Sequence, residues 1–389
     1  MLARVLPAVR RSGGDARMQY SKVLDLFPEA PAPEPVAKRR GRKPVPRVSQ
    51  TEPRDGASVA GGDLPVAQIS ATGAGEGGAA SGIQGADIET LAQCVAAHPD
   101  FRVQRRLQPR LDWPRLEGRG KVTVLVLDTE TTGLDATREH IIELALLRVE
   151  VDPDSGTPMG RVAVYDGLED PGKPIPPEVV ALTGIRDADV KGQTLDESLV
   201  AQMLDGVDLV VAHNAAFDRP FVERRFPRFA GLAWACSFAD IEWKKLGRSS
   251  AKLESLAQAQ GYFYDAHRAE MDCHALLSVL CEPFPGGTGG GQQNGLQRLI
   301  ASAAEPAFTL QALHAPFDEK DRLKARGYRW NAEQRVWQAR LRGAAALQAE
   351  CEWLRAHVYG ARPATVQIET QDALVKYAQR PGLVRQQPI

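Results

Sequence analysis

The chain has 389 residues, with 48 Lys+Arg against 49 Asp+Glu and 43% hydrophobic residues, which is enough for two modest domains with linkers. Its balanced charge excludes a uniformly basic or acidic surface and leaves any polyanion contact to local clusters. The five cysteines (Cys94, Cys236, Cys273, Cys281, Cys351) form no CxxC pair, and no apolar run approaches the length of a membrane span. A disulfide framework, a cysteine zinc site and a membrane partner are therefore not expected, and a reducing cytoplasm suits the composition.

Residues 1–84 are rich in Pro, Ala, Gly and charge, and are expected to form a disordered tail. The acid-free, arginine-bearing start leaves two readings open: an organellar transit peptide, or a true start at Met18. Two short segments stand out in the tail. Val23 to Phe27, VLDLF, is an apolar island, and Lys38 to Arg47, KRRGRKPVPR, holds six basic residues and no acidic one.

Residues 85–119 form a helical and then basic lead-in, with a helix over DIETLAQCVAA capped by Asp87, followed by Arg102 to Arg110, RVQRRLQPR. At Val122 the pattern changes. VTVLVLD is a continuous, β-branched apolar run too short for a helix, and predicts a central buried strand. IIELALLRVEV and GRVAVYDGL predict two more strands. PPEVVALTGI and LDESLVAQML predict helices, the second with a capping box from Thr194 and Glu197. VDLVVAH is a further strand, and AAFDRPFVERRF opens a helix. SSAKLESLAQAQG is a helix with serine caps and Gly261 as its stop, and HRAEMDCHALLSVLC is the last helix of the block. A strand meander followed by alternating helices and strands predicts an α/β domain with a mixed sheet over residues 120–284.

A Gly-rich linker and short helix occupy 285–305. Residues 306–360 predict a small α+β accessory domain, and 361–389 a loose tail. No internal repeat is present.

The chemistry concentrates in the stretch LVLDTETTGL. Residues i and i+2 of a strand share a face, so Asp128 and Glu130 point the same way. Two like charges at a strand end repel unless a cation neutralises them, and hard oxygens at this spacing suit Mg²⁺ or Mn²⁺. Asp218 falls in the first turn of a helix after a buried strand, in VVAHNAAFD. His267 and Asp272 lie about a turn apart at another helix start, in HRAEMD. Four acids and one histidine thus collect at strand ends and helix starts, where sites of α/β sheets form. Carboxylates in this number suit two metal ions with one ligand shared, and a histidine can take a proton from water at neutral pH.

VLDTETTGL, LTGI, HNAAFD and HRAEMD, in this order and spacing, resemble the DEDDh-class proofreading exonucleases of the DNA polymerase III ε-subunit type, over roughly residues 120–282. The resemblance implies a ribonuclease H-like fold with a mixed five-stranded sheet and flanking helices. It implies metal-dependent 3′→5′ hydrolysis of phosphodiester bonds, releasing nucleoside 5′-monophosphates, in replication, proofreading or repair. Carried over residue by residue, Asp128 bridges two metals, Glu130 and Asp272 complete the site holding the nucleophilic water, Asp218 serves the second metal, and His267 is the general base. Thr131, Thr132, Gly133 and Leu134 are candidate contacts to the terminal nucleotide, the leucine as a wedge against its base, with Asn214 and Phe217 beside the second motif.

Some readings stay open. Phe217 either stacks near the 3′ end or fills core. Glu143 either supports the metal ligands or is simply a polar strand residue. His213, His140 and His274 read as hydrogen-bonded structural histidines, and Cys236, Cys273 and Cys281 as small core residues. The pattern GYRWN…RVW resembles β-rich modules attached to nucleic-acid enzymes. Trp330 and Trp337, with Arg322, Lys324, Arg326, Arg329 and Arg335 nearby in sequence, either bind single strands or build a small core. RRGRKP at Arg39 to Pro44 resembles an AT-hook core, and VLDLF resembles a sliding-clamp-binding pentapeptide with valine in place of the first glutamine. DNA 3′ ends are the favoured partner. An RNA-trimming nuclease and a non-catalytic nucleic-acid-binding adaptor are the alternatives, since the motifs do not separate DNA from RNA.

Overall fold

The structure is a computed structural model that describes residues 87–284 and 292–389. The tail segments at 23–27 and 39–44 and the glycine run at 286–291 lie outside the described residues. No helix among the described residues is long and apolar enough to cross a membrane.

The larger sheet has six strands: β1 (Asp112–Trp113), β2 (Val122–Thr131), β3 (Ile141–Val151), β4 (Pro158–Leu168), β5 (Leu209–Ala212) and β6 (Trp234–Cys236), in the order β1-β4-β3-β2-β5-β6. Strands β2, β3 and β4 pair antiparallel, whereas β5 and β6 join β2 in parallel. This is the mixed α/β sheet expected, with one strand more than the five anticipated. The extra strand is the two-residue β1, which bonds to the outer edge of β4. It arises from the lead-in, whose basic composition hides its pairing.

Period-2 alternation sorts β2 cleanly. Val124 and Val126 pack into one apolar cluster and Leu125 and Leu127 into another on the opposite face, all fully buried. Beyond α1 (Ile88–Ala97) and α2 (Pro177–Thr183), the Val124 face is covered by α5 (Leu253–Ala259) and α6 (Ala269–Cys281), and the Leu125 face by α3 (Glu197–Leu204) and α4 (Ala215–Arg225). Asp128 and Glu130 continue the Val124 face and so meet α6. The cap of α3 differs from expectation. Asp196, not Thr194, accepts a bond from the Leu199 N–H at 2.9 Å, because the helix begins at Glu197 and the cap sits immediately before it. Gly261 stands at φ +85 just after α5, as a helix stop requires. Asp87 caps the first helix, Ile88–Ala97.

The second sheet has five antiparallel strands: β7 (Ala307–Ala312), β8 (Arg329–Asn331), β9 (Val336–Arg342), β10 (Thr365–Gln371) and β11 (Leu383–Pro388), in the order β8-β9-β7-β10-β11. Phe308, Leu310, Val366 and Ile368 line one face and pack with Leu347, Cys351 and Leu354 of the helix Ala344–Leu354. Residues 361–389 therefore differ from a loose tail, since both β10 and β11 belong to the sheet. Their short alternation has a partner only once β7 is in place, so it is weak as a local signal.

Candidate active site

Asp128 lies opposite Ala145 and Glu130 opposite Glu143 in the β2–β3 register, with a bulge just after Glu130. The small Ala145 leaves space over Asp128, and the bulge turns the strand end. Asp272 enters from the first turn of α6. One carboxylate oxygen from each of Asp128, Glu130 and Asp272 lies within 4.8 Å of the others. Asp218 approaches from the opposite face, in the first turn of α4, and is 2% exposed. Thr129 points to that face because it stands between the two strand acids. It holds Asp218 with its hydroxyl at 2.8 Å and its N–H at 3.2 Å.

So many carboxyls under cover resist ionisation. Burial, then Asp218 and Asp272, push Asp128 well above the ordinary range. Burial, then Asp272 and Glu143, push Glu130 up to about 8. Burial pushes Asp218 up to about 7 against the opposing bonds from Thr129, and also raises Asp272. Convergent hard oxygens that repel one another are a donor set suited to a divalent cation, which would take the place of the protons.

A pH test follows. An acid whose folded-state pKa is raised binds more protons folded than unfolded. Its contribution to stability is complete below the unfolded value, about 4, and is lost as pH rises through the folded values of about 7 and about 8. In EDTA the melting temperature should fall by several degrees between pH 5 and pH 8 beyond any fall seen in saturating Mg²⁺. Thermal unfolding in both conditions checks this, and parallel pH profiles would contradict it.

His267 is exposed and has φ +64, a left-handed conformation uncommon for a non-glycine residue. Its N–H donates to Asp272 Oδ2 at 2.7 Å, the Arg268 N–H donates to the same oxygen at 3.2 Å, and the Tyr264 hydroxyl donates to Oδ1 at 2.9 Å. Glu143, completely buried, accepts from Arg268 Nη2 at 2.7 Å and Nε at 3.0 Å and from the Ala269 N–H at 2.9 Å. It thus caps α6 and pins the residue after His267. Of the two roles open for Glu143, the contacts are those of support.

The loop after β2 is less accessible than its sequence suggests. The Thr131 hydroxyl donates to the Gly133 carbonyl at 2.8 Å, and the Thr132 hydroxyl donates to Glu139 at 2.7 Å. Both threonines are buried. At Gly133 a Cβ would stand 2.9 Å from Glu139 Cγ, so glycine admits that close approach. Leu134 is 39% exposed, and Asn214, at φ +73, is exposed where α4 begins. Phe217 is half-buried against Phe221, with ring centroids 5.2 Å apart, in the core cluster.

Of the three histidines expected to be structural and hydrogen-bonded, His213 shows that pattern at its ring, whereas a buried ring nitrogen of His274 does not. His213 Nδ1 is 2.7 Å from the Ser237 hydroxyl, and burial lowers its pKa to about 4. His274 is buried with Nε2 3.5 Å from Glu270 and makes no hydrogen bond at that nitrogen. At His140 the bond is from the backbone N–H, which donates to the Thr132 hydroxyl oxygen at 3.0 Å. Cys236 and Cys273 are buried and Cys281 is partly so.

In the second sheet, Trp330 and Trp337 are direct cross-strand partners with centroids 5.4 Å apart. Trp337 packs against the core, whereas Trp330 is half exposed, so the pair divides between the two readings. Arg322, Lys324 and Arg326 are ion-paired with Glu319, Asp321 and Glu350, which weakens the reading of a cationic cluster around the tryptophans. Sequence reading missed Thr129, Tyr264 and Arg268. Strand alternation would have directed Thr129 to the Asp218 face, but no local pattern identifies its partner.

Residues 125–280 match the exonuclease family RNase_T. The chain is 37% identical over 111 residues to a DNA polymerase III PolC-type protein of Listeria innocua, a match covering 27% of this chain and 7% of that relative's length. It is 28% identical over 168 residues to the DNA polymerase III subunit epsilon of Treponema pallidum, covering 41% of this chain and 74% of that one. Among solved structures it is similar to exonuclease X in complex with 5′ overhanging duplex DNA, at 23% identity and a TM-score of 0.31, over 45% of this chain and 99% of that chain.

Proposed function

We propose that the exonuclease-family domain at residues 125–280 is a metal-dependent 3′→5′ exonuclease that removes nucleoside 5′-monophosphates from single-stranded or frayed 3′ ends, DNA before RNA, in a cytoplasmic proofreading or repair role. The observation that carries this reading is the convergence of the Asp128, Glu130 and Asp272 oxygens within 4.8 Å. Asp218 and His267 stand on the flanking helix starts.

Asp128, Glu130 and Asp272 would hold one ion, and Asp128 and Asp218 a second. When bound, Mg²⁺ or Mn²⁺ supplies a lowered water pKa and charge stabilisation at the phosphate. The chain supplies the rest. Thr129 keeps the Asp218 carboxylate aimed at the strand end. Asp272 fixes the backbone of His267, whose imidazole would accept the proton of the attacking water. The exposed Leu134 and Asn214 offer surface to the terminal nucleotide. DNA is placed before RNA because the relatives are named as DNA polymerase III proteins.

The test is degradation of 3′-labelled single-stranded DNA and RNA of one sequence, with Mg²⁺, with Mn²⁺ and with EDTA. Metal-dependent release of labelled mononucleotides, faster from DNA, is the expected result. Faster release from RNA would reassign the substrate. Binding without cleavage of either would overturn the enzyme reading in favour of an adaptor.

A further inference from the structure

We infer that the loop joining β10 to β11, residues 372–382, is a positioning element of the nuclease site, an inference that rests on reading Asp218 as a site carboxylate. The loop belongs to the second sheet yet lies against the first, in a region beyond the 125–280 family match. Its Ala373 carbonyl accepts the Trp234 N–H at 2.8 Å, so it covers the free edge of β6. Tyr377 packs into the apolar cluster beneath α4. The Lys376 ammonium, nearly fully buried, donates to the Ser302 and Glu305 carbonyls at 2.7 and 2.9 Å, closing the end of the helix Gly295–Ala304.

The decisive contact is Arg219. It follows Asp218 directly in α4 and is completely buried. Its Nη2 donates to the Leu374 carbonyl at 2.5 Å, its Nη1 to the Lys376 carbonyl, and its Nε to Glu223 at 2.6 Å. Arg380 reinforces the same place, donating to Glu223 at 3.0 Å and to the Ala230 carbonyl at 2.8 Å. A guanidinium stays charged under cover, so each donor needs an acceptor. Here two of the acceptors are backbone carbonyls 155 and 157 residues downstream. Asp218 is therefore held from two sides, by Thr129 at its carboxylate and by the loop through the next residue. The second sheet is built into the nuclease, and a module tethered only by a linker would not meet this need.

The test uses the full chain with residues 373–380 replaced by glycine and serine at unchanged length, and Arg219→Met separately. Mn²⁺ binding by calorimetry and steady-state hydrolysis are measured well below the melting temperature of each variant. The expected result is Mn²⁺ affinity weakened ~10-fold and kcat lowered ~10- to 100-fold, with KM for the oligonucleotide within about 2-fold of wild type. A loop that only stabilised the fold would lower the melting temperature and leave the folded protein's Mn²⁺ affinity and kcat unchanged, and that result overturns the inference. Should both variants fail to fold, Arg380→Ala is the deciding arm. It is expected to lower kcat about 3-fold, and an unchanged kcat and Mn²⁺ affinity would overturn the inference. Wild type inactive on every substrate would refute the proposed function, while the Mn²⁺ arm would still decide the role of the loop.

Discussion

Asp128→Asn should lower kcat for 3′-end hydrolysis by ~10³-fold or more while raising the melting temperature of the metal-free protein at pH 8. The two effects have one origin. Burial penalises the Asp128 charge first, and the carboxyls of Asp218, Asp272, Glu130 and Glu143 then repel it. An amide of nearly the same shape removes the repulsion, so the folded state gains. It also removes the anionic oxygen proposed to be shared between two cations, so the reaction loses. Each kcal/mol relieved should raise the melting temperature by about 2–4 °C for a domain of this size. Single-turnover hydrolysis and thermal unfolding in EDTA read the two effects separately. Activity within tenfold of wild type would remove Asp128 from the centre of the mechanism. Lost activity without stabilisation would mean the acids do not strain the metal-free fold.

Glu143→Ala should cost about 2 kcal/mol of stability and lower kcat ~10- to 100-fold with little change in KM. The stability loss combines an uncapped Ala269 N–H at the start of α6 with the loss of charged hydrogen bonds to Arg268. Because the Arg268 side chain is 48% exposed, its guanidinium can turn to water, which keeps the loss below that of breaking a fully buried pair. The kcat loss comes from slack in the His267–Ala269 segment, which Glu143 and Asp272 hold between them. Glu143→Gln is the informative partner. It keeps one acceptor oxygen and the shape, so its stability should be intermediate. It also removes one of the charges that raise Glu130, so Mn²⁺ binding should begin at lower pH. Equal kcat in wild type and both variants would reduce Glu143 to a helix cap.

Sequence alone determined the parts of this protein that depend on local period and on residue type at short spacing. The run VTVLVLD specified a strand buried on both faces, and its alternation placed Asp128 and Glu130 together on one of them. The helix starts at Asp218 and Asp272 were legible because capping and amphipathic spacing act within one or two turns. The small α+β domain expected of the accessory region is present as a sheet with helices, although its last two strands read as a tail.

Tertiary structure decided what each of those residues faces. Glu143 and Arg268 are 125 residues apart, and neither has a local feature that selects the other. Thr129 reads as an ordinary strand threonine until α4 delivers Asp218 to it. Arg219 reads as one of several helix cations, yet it is buried because a loop from the far end of the chain supplies its acceptors. Residues 361–389 read as a tail because two short strands cannot hold a shape without β7 between them and β9. The physical reason is common to all four. A hydrogen-bond donor or a strand edge states only that it needs a partner, and the partner is chosen by chain packing over distances that no local pattern encodes.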